Sequence, residues 1–180
     1  MKDNVELEED IVAREDAFQL GDLSTPESFM ATIQAERECL ETYLEYFEVI
    51  DRGRPNSGAA ACFTEDTEVT YAMKGKPMVF NGRAEYLKFL DDSTAAYEMV
   101  THILGQQFFA WKNGTPSLRT NVISWQWFLK NKDQGDMRPA DFVTMGHAND
   151  EFTKVDGKWL ISKRHVQPAA GITAIGTPAF

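Results

Sequence analysis

The sequence predicts an α+β fold in which amino-terminal helices pack on one face of a single curved antiparallel sheet. Helical periodicity is concentrated in residues 24–52, while four β-patterned segments follow one another after residue 101. Val155-Asp156-Gly157 marks a tight hairpin turn between the last two of them. A sheet that curls around its helices leaves a cone-shaped cavity, so this architecture supplies a place for a ligand.

The elements follow in order. Residues 1–23 are an acidic arm with scattered apolar positions (Val5, Leu7, Ile11, Phe18, Leu20). Ser24-Thr25-Pro26-Glu27 is a helix start: a hydroxyl cap, an early proline, and a glutamate three residues after Ser24. Helix, with an expected break, continues to Arg52, and Gly53 with Pro55 ends it. Its apolar stripe is Leu40, Tyr43, Leu44, Phe47 and Ile50; its solvent side carries Glu36, Glu41, Glu45 and Glu48. A short apolar piece at 59–63 leads into a strand at 67–72, and a second short strand spans 78–80. Asn81-Gly82 turns into a helix, RAEYLKFL. Four long strands are expected at 102–111, 118–130, 140–154 and 158–166. The domain proper is thus 24–167, and 168–180 is an apolar tail laid on a surface.

Composition excludes several functions. With 180 residues, 43% hydrophobic and 12% aromatic, the chain buries one substantial core. A net charge of −10 and a pI near 4.8 oppose binding to nucleic acid or to an anionic membrane. No run reaches the length of a transmembrane helix and the acidic start is unlike a signal peptide, so a cytoplasmic location is expected. Cys39 and Cys62 read as ordinary buried thiols. His102, His147 and His165 lack metal-ligand spacing, and neither GxGxxG nor GxSxG occurs; no metal or cofactor is expected.

Asp51 stands out because it extends the buried stripe, four residues after Phe47 and seven after Leu44. A carboxylate facing a core is costly unless it is paired. Either it caps the following loop, or it sits at the base of a pocket with a partner elsewhere. His102, opening the first long strand on a face continued by Leu104, Gln106 and Phe108, is the candidate partner. An imidazole held by a carboxylate has a fixed tautomer and is a general base without metal or nucleophile. Ile123, Trp125, Trp127 and Leu129 share one strand face by the period of two. Trp125 and Trp127, with Phe47, are expected to contact a bulky, cyclic or aromatic substrate; core or subunit-interface anchors are the alternative.

Asp51-Arg52-Gly53, Phe63-Thr64-Glu65-Asp66, Phe80-Asn81-Gly82-Arg83, His102 and Val155-Asp156-Gly157-Lys158-Trp159 together resemble the SnoaL-like group of the nuclear transport factor 2-like (cystatin-like) superfamily. The resemblance covers about residues 33–167, and within the group is greatest to the scytalone dehydratase and hexachlorocyclohexane dehydrochlorinase branch. It implies an aspartate–histidine dyad at Asp51 and His102, and places Tyr71 where scytalone dehydratase has a substrate-polarising tyrosine. Two departures stand: Ile50 replaces that enzyme's tyrosine before the aspartate, and Lys154 is found where the dehydrochlorinase has an arginine near the final hairpin, so substrate binding is the role expected of it.

The function expected is that of a cofactor-independent lyase, eliminating water, halide or a carbonyl fragment from a small cyclic or aromatic substrate. An isomerase or cyclase on the same dyad, a non-catalytic binder of apolar ligands, and an interaction domain with a filled cavity are the alternatives. Residues 167–180 carry no charge, and an open sheet needs cover for its outer face. A homo-oligomer is expected, a trimer before a dimer, the trimer by resemblance to the dehydratases.

Overall fold

The long helix begins at a reciprocal cap. Ser28 N donates to Thr25 Oγ1 at 3.1 Å and Thr25 N donates to Ser28 Oγ at 3.2 Å, with Pro26 at the first helical position. The cap is therefore Thr25 with Ser28, not Ser24 with Glu27; Ser24 is bonded to the Asp22 carboxylate instead. The computed structural model describes residues 20–53, 56–72, 76–134 and 137–173, so most of the expected amino-terminal arm and the end of the expected tail lie outside the described residues.

Helix α1 (Pro26–Asp51) runs without a break. It buries Cys39, Thr42, Tyr43, Tyr46, Phe47 and Ile50, whereas Leu44 is 42% exposed. The stripe is centred between Tyr43 and Tyr46, which rotates Leu44 to the edge. Glu36 is not purely solvent-facing, because it accepts from Trp111 Nε1 at 2.8 Å.

A 3₁₀ segment (Asn56–Cys62) leads to β1 (Phe63–Tyr71), β2 (Met78–Asn81), α2 (Arg83–Thr94), β3 (Tyr97–Lys112) and β4 (Thr115–Phe128). A second 3₁₀ segment (Leu129–Gln134), which takes Leu129 out of the expected strand, precedes β5 (Phe142–Val155) and β6 (Lys158–Thr173). The six strands form one sheet in the order β2-β1-β6-β5-β4-β3. All neighbours are antiparallel except β1 and β6, which pair in parallel. Two hairpins close through two-residue turns with both residues at positive φ: Asn113 (51°) and Gly114 (77°), then Asp156 (51°) and Gly157 (82°). Strand β6 continues through residues 168–173, so the first part of the expected surface tail is sheet.

Two irregularities decide which side chains face inward. Between Leu104 and Gln107, β3 carries one residue more than β4 opposite, and the alternation inverts. Phe109 and Trp111 then pack on the core, while Phe108, expected on the face of His102, is 57% exposed. On β6, Ser162 is the extra residue between the pairs Phe152–Ile161 and Glu151–Lys163. Lys163 turns outward and Arg164 inward. The core is centred on Tyr43, Phe63, Tyr86, Leu118, Phe152 and Ile161, and α1 is tied to the sheet by Thr42 Oγ1 donating to Trp159 O at 2.7 Å. No helix among the described residues is long and apolar enough to cross a membrane.

Candidate active site

Asp51 is the last residue of α1, and Gly53, at φ 88°, turns the chain away just beyond it. The turn leaves the Asp51 carboxylate directed at the sheet. It crosses to the head of β3, where Oδ2 accepts from His102 N at 2.9 Å and from Thr101 Oγ1 at 3.4 Å. Oδ1 lies 2.5 Å from His102 Nδ1. A carboxylate only accepts, which assigns the proton to Nδ1 and leaves the lone pair on Nε2. The side chains are 24% and 14% exposed, so the pair is sheltered without being sealed. The Phe47 ring packs on the imidazole, centroids 4.8 Å apart, and limits its rotation.

His102 opens onto a cavity of about 580 Å³ between α1, α2 and the sheet. Phe47, Tyr71, Phe89 and Tyr97 supply aromatic walls, Ser124 and Gln126 polar ones, and Gly146, Ala148 and Gly171 leave room along β5 and β6. Gly146 is required by close approach: a Cβ there would lie 2.5 Å from Gln167 O of the neighbouring strand. Tyr71 heads a hydroxyl chain, 3.2 Å from Tyr86 Oη, which is 2.8 Å from Tyr46 Oη. Burial holds the Tyr46 and Tyr86 phenols above their ordinary range, so both stay protonated.

The structure brings His102, Phe47 and Tyr71 to this one cavity, with Asp51 behind the imidazole and bordering a neighbouring groove, but not the two tryptophans or Lys154. Ser124 is the cross-strand partner of His102, so residues 124 and 126 face the cavity while Trp125 and Trp127 point to the other side of the sheet. Trp127 donates to Arg138 O at 3.0 Å and borders a separate groove shared with Arg52 and Glu98. Lys154 is exposed at the far end of β5, its Nζ 5.9 Å from the Trp159 ring centroid. His165 faces away and is exposed, and His147 borders the cavity rim. Among the described residues no three of His, Cys, Asp and Glu converge as a metal site requires.

Among the cavity residues that escaped the sequence reading is a charged one. Arg164 is 2% exposed and lines the cavity floor, its Cζ 4.2 Å from the Tyr46 ring centroid and 5.3 Å from that of Phe47. Asp150, fully buried, stands 3.5 Å away; its desolvation pushes its carboxyl up to about 6 against the opposing pull of Arg164. Asp150 was the available signal. It alternates with Ala148 and Phe152 on an inward strand face, where a carboxylate demands a cation.

Comparison with known proteins adds three findings. The model of the SnoaL-like domain matches residues 31–165. No curated protein matches the chain by sequence. Solved structures share the fold. A candidate scytalone dehydratase from Novosphingobium aromaticivorans superposes with a TM-score of 0.65 at 22% identity, over 82% of this chain and 97% of that one. A type 2 hexachlorocyclohexane dehydrochlorinase gives 0.62 at 13% identity, over 82% and 92%. A cystatin-like protein of unknown function from Nostoc punctiforme gives 0.58 at 11%, over 84% and 96%.

Proposed function

This chain belongs to the SnoaL-like family, and on that premise we propose that it is a cofactor-independent lyase acting on a small cyclic or aromatic substrate. The observation that carries the reading is the Asp51–His102 contact at the wall of a cavity large enough for a ring compound. His102 Nε2 removes a proton from a substrate carbon, and Asp51 stabilises the imidazolium that forms. Tyr71 donates a hydrogen bond to the oxygen that gains charge. The leaving group departs from the neighbouring carbon; a hydroxyl takes the proton from the imidazolium and leaves as water. The fold is shared with proteins described as a dehydratase and a dehydrochlorinase, both names for eliminations.

The test is a panel of cyclic β-hydroxy ketones in deuterium oxide, followed by mass spectrometry for deuterium uptake and loss of water. Wild-type protein should catalyse both for at least one member, and His102→Ala should retain about 1% or less of that rate. Full activity in His102→Ala would sink the proposal. The assembly we propose is a homotrimer joined through the outer sheet face, where Met99, Ile103 and Phe108 are exposed. Light scattering on the purified protein decides it, and a monomer would exclude this arrangement.

A further inference from the structure

Tyr71 reaches the cavity from β1, but its hydroxyl is the outer end of a chain that starts in the core. Tyr71 Oη lies 3.2 Å from Tyr86 Oη on α2, and Tyr86 Oη lies 2.8 Å from Tyr46 Oη on α1. Three elements thus contribute one phenol each. Neighbouring rings hold them in place: Tyr86 packs edge-on against Phe63 with centroids 5.2 Å apart, and Tyr71 against Phe89 at 5.4 Å. Tyr86 is fully buried and Tyr46 is 4% exposed, so the inner two hydroxyls are shut off from bulk water.

Each phenol has one proton, which limits the chain to two polarities. Tyr86 has no solvent to receive its proton, so it donates to one neighbour and accepts from the other. In the inward polarity Tyr71 donates to Tyr86, Tyr86 donates to Tyr46, and the Tyr46 proton is left over. In the outward polarity Tyr46 donates to Tyr86, Tyr86 donates to Tyr71, and the Tyr71 proton is free for the cavity. The surroundings of Tyr46 choose between them. Among the described residues its hydroxyl is bonded to Tyr86 alone, and the Arg164 guanidinium stacks on its ring, Cζ 4.2 Å from the centroid. A guanidinium has donors and no acceptor, so a left-over Tyr46 proton has nothing to bond to. Burial raises the Tyr46 and Tyr86 phenols and the Arg164 charge opposes it at both, so the field of the cation reaches both oxygens. That field turns the Tyr46 lone pairs towards the cation and its proton away, to Tyr86. The outward chain also reinforces itself, since each donor is polarised by the bond its own oxygen accepts.

We propose that Tyr86 is a positioning residue that, with Tyr46 behind it, holds the Tyr71 hydroxyl as a hydrogen-bond donor to the cavity. The inference rests on the role given to Tyr71 in the lyase reading and extends it to α2, the helix that carries Tyr86. A lone phenol turns its proton either way; one that already accepts from Tyr86 has only the cavity to donate to. The substrate oxygen then meets a donor that needs no reorientation as charge develops.

The polarity can be read without substrate. In protein labelled with carbon-13 tyrosine, hydroxyl protons held inside the chain exchange slowly with water and correlate with the carbons of their own rings. The outward chain gives such resonances for Tyr46 and Tyr86, while the Tyr71 proton exchanges as an open hydroxyl does. A slow hydroxyl on the Tyr71 ring in place of the Tyr46 ring would overturn the proposal. In the deuterium-uptake assay Tyr86→Phe should lower kcat about tenfold, the scale of one hydrogen bond, with KM within about twofold of wild type. Added to Tyr71→Phe, the same change should have no further effect, because Tyr86 acts through Tyr71. Unchanged kcat in Tyr86→Phe, or a further loss of about tenfold in the double variant, would each count against it. Should Tyr86→Phe not fold, Tyr46→Phe removes the first donor of the chain and is expected to lower kcat with KM preserved. If no member of the substrate panel turns over, the lyase reading fails while the hydroxyl resonances still decide the polarity.

Discussion

Replacing Asp51 by Asn separates a chemical role from a structural one, because the amide has almost the same shape and opposite hydrogen-bonding character at one atom. Among the described residues the carboxylate accepts three times: from His102 N, from Thr101 Oγ1 and from His102 Nδ1. In Asp51→Asn the amide oxygen can keep the first two, leaving an NH₂ donor opposite Nδ1. That donor favours the tautomer with the proton on Nε2, so the cavity-facing nitrogen loses its lone pair. Positioned general bases contribute about 10²–10⁴ in rate, equivalent to about 3–5 kcal/mol of barrier. The folding cost is far smaller. One charge-assisted bond is replaced at a site where the carboxylate is 24% exposed, worth about 1 kcal/mol. Turnover in the deuterium-uptake assay should thus fall at least a hundredfold while the melting temperature falls by about 2–4 °C. Nitrogen-15 spectra of the imidazole follow the tautomer directly: Nδ1 protonated in the wild type, Nε2 protonated in the variant. A variant keeping more than about a tenth of the activity, or still protonated at Nδ1, would refute the reasoning.

The buried polar groups make further predictions. Asp141→Ala removes the acceptor of three bonds to Phe128 N, Asn131 and Arg138, and should cost about 3–5 kcal/mol in chemical denaturation; a loss below 1 kcal/mol would show the clamp to be dispensable. Its hydrogen bonds and Arg138 hold the Asp141 carboxyl below the ordinary value against its desolvation, so its stabilisation is present above about pH 4 and lost on further acidification. Asp150 behaves oppositely: the native state keeps its proton up to about pH 6 while the unfolded chain releases it near 4, so its contribution falls by up to about 3 kcal/mol as pH rises through that interval. Melting curves of wild type and Asp150→Asn from pH 4 to 7 should show the wild type losing ground as pH rises, and a flat difference would contradict it. Gly146→Ala should destabilise by about 1–3 kcal/mol, since its Cβ meets the backbone of β6 and not a flexible side chain; an unchanged melting temperature would show that the strands can part freely.

The parts of the site legible in the sequence were those set by local periodicity. Asp51 stands out as a carboxylate continuing an apolar helical stripe, and His102 as an imidazole at a strand head, and both positions need only the 3.6 and 2.0 residue periods. Trp125 and Trp127 were misplaced because Ser124, not Trp125, stands opposite His102, and Phe108 because of a bulge on β3. The phase of a strand depends on the partner opposite it, and the extra residue after Leu104 is visible only once β3 lies against β4. Arg164 was hidden in the same way, because strict alternation from Trp159 and Ile161 puts Lys163 inward and only the Ser162 bulge exchanges them. The Asn113-Gly114 hairpin is legible in the sequence, since Asn-Gly between β-patterned segments is a strong turn signal. Parallel pairing of β1 with β6 has no local signature at all, because it joins residues 63–71 to residues 161–166 across most of the domain.

That pairing also fixes when the site comes into being. During synthesis the helix bearing Asp51 emerges early, yet β1 has no inner neighbour until the final strand has been made. The same strand brings Arg164 and one wall of the cavity. A nascent chain that has passed His102 therefore holds its base and its buried stripe with nothing behind them. Closure of such a long loop is slow relative to local structure and leaves apolar surface uncovered meanwhile. The chain thus acquires its binding chamber only once β6 has been made, and premature termination before β6 yields a sheet with a missing centre.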